Sequence, residues 1–277
     1  MNESVHYTDH EGEEPAIVFL HGWTCDETDW ATQVGHFRRK GRRTVSLDLR
    51  GHGKSTNFES EFTVEQMGRD VSVLLNRIGV KGAVVAGHSM GARVAMEAAV
   101  RSREIVRGII LIDGSRGGGG GNATARNAKA AFEKHGYGNV IRSAFGPMFL
   151  QTTLKSIKIM DRAINSPPKV GIESMLSVMK WDDTQFEVKC GELSLLPMQL
   201  IQSSHTDDQG SRIPVRKGMK IEWHCELRAI CSNVEVVMVG NCGHFTMLDE
   251  PSVVNECMER FVERIQNESE QSGPQRV

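Results

Sequence analysis

Gly87-His88-Ser89-Met90-Gly91 follows an apolar run at residues 83–86 and precedes a stretch of small residues at helical spacing from about Ala92. In a sharp turn from strand to helix, a serine is pressed into an unfavourable backbone conformation that stands its hydroxyl clear of the sheet. Flanking glycines leave room for the close approach such a turn requires. The helix behind it offers free N–H groups and a positive dipole end, which favour an oxyanion formed beside Ser89. Taken alone the pattern also fits an ordinary tight turn, and the strand and helix on either side are what raise it.

A serine hydroxyl is a poor nucleophile until a neighbouring base removes its proton. The best-placed base is His244, in the loop Gly240-Asn241-Cys242-Gly243-His244-Phe245 directly after the apolar run 234–239. Upstream, His21-Gly22-Trp23 follows the run 16–20, and its glycine lets the chain turn so that the next backbone N–H points at the nucleophile. The N–H groups of Trp23 and Met90 are therefore the expected oxyanion donors. The Trp23 indole fits equally a core aromatic or a wall of the pocket. Asp48-Leu49-Arg50-Gly51-His52-Gly53-Lys54-Ser55 reads as a structured turn bracing the site. Its glycines lack the spacing of a phosphate-binding G-x-x-x-x-G-K-[ST] loop.

These residues need elements to position them. Short runs rich in Val, Ile and Leu, at residues 16–20, 44–49, 83–86, 108–112, 198–201 and 234–239, alternate with segments of helical period. Such alternation predicts an α/β fold, and unbroken apolar runs predict central, mostly parallel strands with helices on both faces. Residues 64–78, 92–100 and 251–265 read as helices. Between 115 and 195 the alternation fails and helical stretches follow one another, which reads as an insertion. It opens on five glycines, 117–121, that suit a slack loop or a hinge. Met148, Met160, Met175, Met179, Phe132, Phe145, Phe149 and Trp181 enrich the insertion, most of them as its own core. Met148 and Trp181 are expected at a substrate pocket, together with His21 and His88. The polar tail 266–277 reads as disordered.

With 33 basic against 35 acidic side chains the 277-residue chain has a formal net charge of −2. That balance gives no overall field for nucleic acid or an anionic membrane. The polar, acidic first residues do not have the pattern of a signal peptide, and no apolar run is long enough to span a bilayer. The expectation is a cytoplasmic monomer or homodimer whose six scattered cysteines are reduced. Neither clustered Cys/His ligand spacing nor a dinucleotide-binding G-x-G-x-x-G after a strand is present, so neither metal nor cofactor is expected.

In this order, His21-Gly22-Trp23, the turn 48–55, Gly87-His88-Ser89-Met90-Gly91 and Gly243-His244-Phe245 resemble the α/β-hydrolase superfamily, over roughly residues 15–265. The resemblance implies an α/β-hydrolase fold with Ser89 as nucleophile, His244 as base and an oxyanion hole from Trp23 and Met90. It also implies a helical cap at 115–195, inserted between core segments 1–114 and 196–265. The acid that orients the base stays open. Most relatives carry it in a Gly-x-x-Asp loop after the strand that follows the cap. Here Ser203 stands at the glycine, and Asp207 fits with a shift of one residue. Some relatives use the position of Asp113, in Ile112-Asp113-Gly114-Ser115, where the end of an apolar strand holds a carboxylate more rigidly than a polar loop does. The reading is a serine hydrolase of a carboxylic ester, lactone or related acyl compound with an apolar part. Its rivals are a C–C bond hydrolase, a perhydrolase, a cofactor-independent dioxygenase prompted by Asp113, and a ligand-binding receptor with a vestigial triad.

Overall fold

Residues 16–20 carry no polar side chain, and strand β2 (Glu13–Leu20) is buried from Ala16 to its end. Burial of successive residues rather than every second one marks a strand covered on both faces. The computed structural model describes residues 5–56, 58–114, 121–207, 212–216 and 218–271. The first half of the chain comprises β1 (Tyr7–His10), β2, α1 (Ala31–Arg39), β3 (Arg42–Leu47), α2 (Val64–Arg77), β4 (Ala83–His88), α3 (Met90–Arg101) and β5 (Val106–Ile112). The helical insertion follows as α4 (Gly121–His135), α5 (Tyr137–Phe145), α6 (Leu154–Asn165), α7 (Pro168–Thr184) and α8 (Phe186–Glu192), with a 3-10 turn at Gly146–Met148. The chain closes with β6 (Met198–Gln202), β7 (Ser204–Thr206), β8 (Arg212–Pro214), α9 (Glu222–Ile230), β9 (Val234–Met238), α10 (Thr246–Asp249) and α11 (Pro251–Gln271).

Among the described residues, seven strands form the main sheet in the order β1-β3-β2-β4-β5-β6-β9, all parallel except β1, which runs antiparallel to β3. Helices lie around the sheet, α2 packing on α3 and α1 on α11. Because β3 and β4 flank β2 on opposite sides, the winding reverses beside β2. Open α/β sheets bind ligands at the carboxyl ends of the strands where this reversal occurs. The segments after β2 and β4 are His21-Gly22-Trp23 and Ser89, so topology alone brings them to one crevice.

Three features differ from the sequence expectation. The polar edge strand β1 and the small β7–β8 hairpin have no apolar run to announce them. The final helix continues to Gln271, so 266–271 is helical where disorder is expected; no glycine or proline interrupts it, and Gln266 Nε2 donates to Glu270 Oε1 one turn on (3.0 Å). Residues 272–277 and 117–120 of the glycine run lie outside the described residues, and Gly121 opens α4. No helix among the described residues is long and apolar enough to cross a membrane.

The insertion is fastened to the core by buried polar pairs. Arg93 on α3 makes two parallel bonds to Asp182 on α7 (2.8 and 2.7 Å), and Trp181 Nε1 donates to Glu97 Oε1 (2.8 Å). Such a bidentate pair fixes orientation as well as distance.

Candidate active site

Ser89 sits between β4 and α3 with φ 53° and ψ −113°, a left-handed conformation that costs a non-glycine residue about 1–3 kcal/mol. The neighbouring glycines show what enforces it. A Cβ on Gly87 would overlap the carbonyl of Gly91, and a Cβ on Gly91 would overlap the carbonyl of Leu20. Both obstacles are backbone and cannot swing aside. A Cβ on Gly22 would stand 2.8 Å from His88 Nδ1 and 3.4 Å from Ser89 Cβ, so the loop after β2 runs directly against the serine. Met90 is the first residue of α3, and its N–H has no partner within the helix.

His244 is held from three sides. Its N–H donates to Met148 O (2.8 Å), its carbonyl accepts from His88 Nε2 (2.9 Å), and Gly243 N–H donates to Asp249 Oδ2 (2.8 Å). Its Nδ1–H donates to Asp113 Oδ2 at 2.5 Å, which leaves Nε2 as the basic nitrogen of the ring. Burial, and after it the charge of Arg212, pull His244 down to about 4, against the upward pull of Asp113. Burial likewise pushes His88 down to about 3, so both rings are neutral at pH 7.

Asp113 is fully buried at the end of β5. Oδ1 accepts from Gln202 Nε2 (2.7 Å), Ser203 N–H (3.0 Å) and Ser204 N–H (2.8 Å); Oδ2 accepts from Ser204 Oγ (2.5 Å), Arg212 Nη1 (3.2 Å) and His244. Burial pushes this carboxyl upward, but His244, Arg212 and Ser204 outweigh it and the net shift is downward. The structure thus brings Asp113 to the imidazole, in place of Asp207. The latter lies beyond Thr206 at the end of β7, partly exposed. The stretch in which the resemblance seeks the acid supplies hydrogen-bond donors to Asp113 instead.

A cavity of about 150 Å³ opens at this point. The core lines it with Gly22, Trp23, Cys25, His88, Ser89, Met90, His244 and Phe245, and the insertion with Phe145, Met148, Met175, Val178 and Met179. Two of the four expected pocket residues do not line it. His21 is fully buried, with Nε2 accepting from Leu49 N–H (2.9 Å), and joins the loop after β2 to the turn at 48–55. Trp181 is buried against Glu97 behind the wall. Polar residues that the sequence did not single out also line the cavity: Arg93, Asp182, Thr206 and Arg212. Arg93 Nη1 donates to Ser89 O (3.0 Å) as well as binding Asp182, so one side chain ties the elbow to the insertion. No local spacing reveals these four, because separate elements bring them together.

The turn at 48–55 is a brace. Asp48 accepts from the N–H groups of Glu27 and Lys54 (2.8 Å each), and Ser55 Oγ donates to Asp48 O (2.7 Å). Among the described residues, the His6, Glu27 and Asp48 side chains form a group close enough to share a cation. The Lys54 ammonium already brings a positive charge to it, 3.7 Å from Glu27 Oε1.

Residues 17–256 match the sequence model of the alpha/beta hydrolase family. The chain belongs to that family. Among curated relatives, the chain is 40% identical over 77 residues to a bifunctional esterase/perhydrolase of Acinetobacter calcoaceticus, a match covering 28% of each chain. It is 35% identical over 100 residues to an sn-1-specific diacylglycerol lipase of Mus musculus, covering 36% of this chain and 32% of that one. The chain thus spans about a third or less of the length of these curated relatives. Over nearly its whole length it shares the fold of an esterase from Thermogutta terrifontis (TM-score 0.76, 20% identity, 94% of this chain and 93% of the other). The same holds for a bromoperoxidase from Bacillus anthracis (TM-score 0.75, 18% identity, 94% and 95%).

Proposed function

We propose that this α/β-hydrolase is a serine hydrolase that cleaves small carboxylic esters or lactones, with Ser89, His244 and Asp113 as its triad and the helical insertion as a cap. The observation that carries the reading is the 2.5 Å bond from His244 Nδ1 to the buried Asp113 carboxylate, at a cavity that Ser89 also lines. Ser89 Oγ attacks the acyl carbon while His244 Nε2 takes its proton, and Nδ1–H stays on Asp113. The N–H groups of Trp23 and Met90 receive the charge that develops on the carbonyl oxygen. Collapse expels the alcohol, protonated by His244, and leaves an acyl group on Ser89. A water, deprotonated by the same imidazole, releases the acid and restores the serine.

The size of the cavity, below the ~300–1,000 Å³ of drug-sized ligand pockets, favours a short acyl group, and its lining of Phe145, Met148, Met175, Val178 and Met179 favours an apolar one. Adaptable methionine side chains suit modest variation in that group. The relationship to an esterase/perhydrolase favours a second outcome for the same acyl-enzyme, in which hydrogen peroxide replaces water and a peracid leaves.

Fluorophosphonate labelling and turnover of p-nitrophenyl acetate, butyrate and octanoate, compared between the wild type and Ser89→Ala, test the proposal. Labelling at Ser89 and turnover that falls with acyl length are expected, both lost in the variant. A folded Ser89→Ala protein with full esterase activity would sink it. Peracid formation on adding peroxide separates the second outcome.

A further inference from the structure

Arg212 begins β8, and the β7–β8 hairpin carries its guanidinium back onto the Asp113–His244 pair. Nη1 lies 2.8 Å from Ser204 Oγ, 3.2 Å from Asp113 Oδ2 and 3.0 Å from His244 Nδ1. A guanidinium has only donors, and Nδ1 already bears the proton it gives to Asp113. The contact between Arg212 and His244 is therefore a fixed positive charge held against the ring. Both groups compete for one carboxylate oxygen, Oδ2.

We propose that Arg212 is a positioning residue that lowers the basicity of His244, keeping the imidazole unprotonated in weakly acidic solution and extending acyl transfer to lower pH. The inference rests on the hydrolase reading above. Each group facing the ring has a place in the balance. Asp113, from the end of β5, favours the protonated imidazole. Arg93, from α3, opposes it, though Asp182 is bonded to that guanidinium at 2.8 and 2.7 Å. The neighbouring ring is that of His88, from the end of β4, at 4.7 Å between centroids, and it is itself held neutral by burial. Arg212 is the charge that touches the ring, and solvent screens it little, its side chain being 16% exposed. A weaker base costs rate on the plateau, because proton transfer from Ser89 becomes less favourable. The arrangement exchanges peak rate for a wider acid range.

Proteins labelled with ¹⁵N-histidine, as wild type, Arg212→Met and Arg212→Lys, test this by NMR titration of the His244 ring. The acid limb of kcat/KM for p-nitrophenyl acetate is measured beside it. Wild-type His244 is expected to stay neutral down to about pH 5, and Arg212→Met to raise its midpoint and the acid limb together by about one unit or more. Arg212→Lys, which keeps the charge, is expected to keep most of the wild-type profile. A wild-type ring that titrates near its ordinary value overturns the proposal. So does an Arg212→Met enzyme whose activity falls equally at every pH with the midpoint unmoved, the mark of a purely structural role. Should Arg212→Met fail to fold, Arg212→Gln, which removes the charge and keeps a donor for Asp113 and Ser204, takes its place, with the same upward shift expected and an unmoved midpoint overturning the proposal. The NMR midpoint needs no turnover, so a shift seen in a protein that hydrolyses no ester keeps the role of Arg212 and refutes the reaction.

Discussion

Replacing Asp113 with Asn keeps the shape of the side chain and reverses the chemistry of one of its ends. Three donors meet Oδ1, from Gln202, Ser203 and Ser204, and they hold the amide oxygen of the substituted side chain there. The amide NH₂ then occupies the place of Oδ2, facing Ser204 Oγ, Arg212 Nη1 and His244 Nδ1. Donor would face donor unless His244 moves its proton from Nδ1 to Nε2, and an Nε2–H cannot accept the proton of Ser89. The same change in a serine-protease triad costs about 10⁴ in kcat, or roughly 5.5 kcal/mol of barrier. Steady-state hydrolysis of p-nitrophenyl acetate should show a loss of that order for Asp113→Asn. For Asp207→Asn, beyond the end of β7, activity should stay within about twofold, as for an ordinary surface substitution. Near-ultraviolet circular dichroism establishes that both variants fold. If Asp113→Asn kept more than a tenth of the wild-type kcat while Asp207→Asn lost its activity, the assignment of the acid and the tautomer argument would both be wrong.

Three further outcomes follow from neighbouring contacts. Gly22→Ala puts a methyl 2.8 Å from His88 Nδ1 and should lower kcat more than it raises KM, because it displaces the Trp23 N–H from the developing oxyanion; a change in KM alone would contradict this. Trp181→Phe removes the donor to buried Glu97 and should cost about 1–3 kcal/mol in urea denaturation, with kcat/KM for a small ester little changed because the indole lies behind the pocket wall. Stability should fall on acidification below about pH 6.5. Burial is the main cause that holds His21, His52, His88 and His244 below the ordinary 6.5, the last three to about 4, 3 and 4, so the unfolded chain takes up protons that the folded chain refuses. Each such ring removes up to about 1.4 kcal/mol per pH unit, until the pH reaches its folded value. Urea midpoints that stay constant from pH 7 to pH 5 would refute that account.

What could be read from the sequence was what is local in the chain. The elbow at Ser89 and the loop at His244 are each announced within six residues, because the backbone geometry that presents the side chain needs particular glycines beside it. The parallel core was equally plain, since strands buried on both faces have to be apolar throughout. Edges were not. β1 (YTDH) is only partly buried along its length and carries Asp9 to meet Arg43, so it shows no apolar run, and the β7–β8 hairpin is too short to show an alternation. Arg93, Asp182 and Arg212 escaped for a different reason. Their partners are 89 to 99 residues away, at Asp182, Arg93 and Asp113 respectively, and nothing in the neighbourhood of an arginine says which carboxylate it will meet. The pocket followed the same logic. Met148 lines it while Trp181 does not, although both are large apolar residues of one insertion, because Met148 ends the 3-10 turn whose backbone meets the His244 loop, whereas Trp181 on α7 turns toward Glu97 on α3.

The acid falls between these cases. β5 and β6 are neighbours in register, with Ile112 opposite Ile201 and Asp113 N–H donating to Ile201 O (2.8 Å). Adjacent strands lie about 4.8 Å apart, so the first residues beyond either strand can reach the same imidazole. A triad acid therefore has two geometrically equivalent origins, and spacing in the chain does not rank them. The other end does. A carboxylate buried at one strand end needs donors, and those within reach come from the adjacent strand end. Gln202, Ser203 and Ser204 provide an amide, two backbone N–H groups and a hydroxyl there, and no acid. An acid at that strand end would instead face Asp113 as a second buried carboxylate, and two such charges in contact cannot both ionise. For the triad proposed above, the sequence mark of Asp113 is thus Ser204, whose hydroxyl donates to Oδ2, while Ser203 lends only its backbone N–H and turns its own hydroxyl to Gly243 O. That mark becomes readable only when the two strand ends are considered as one site.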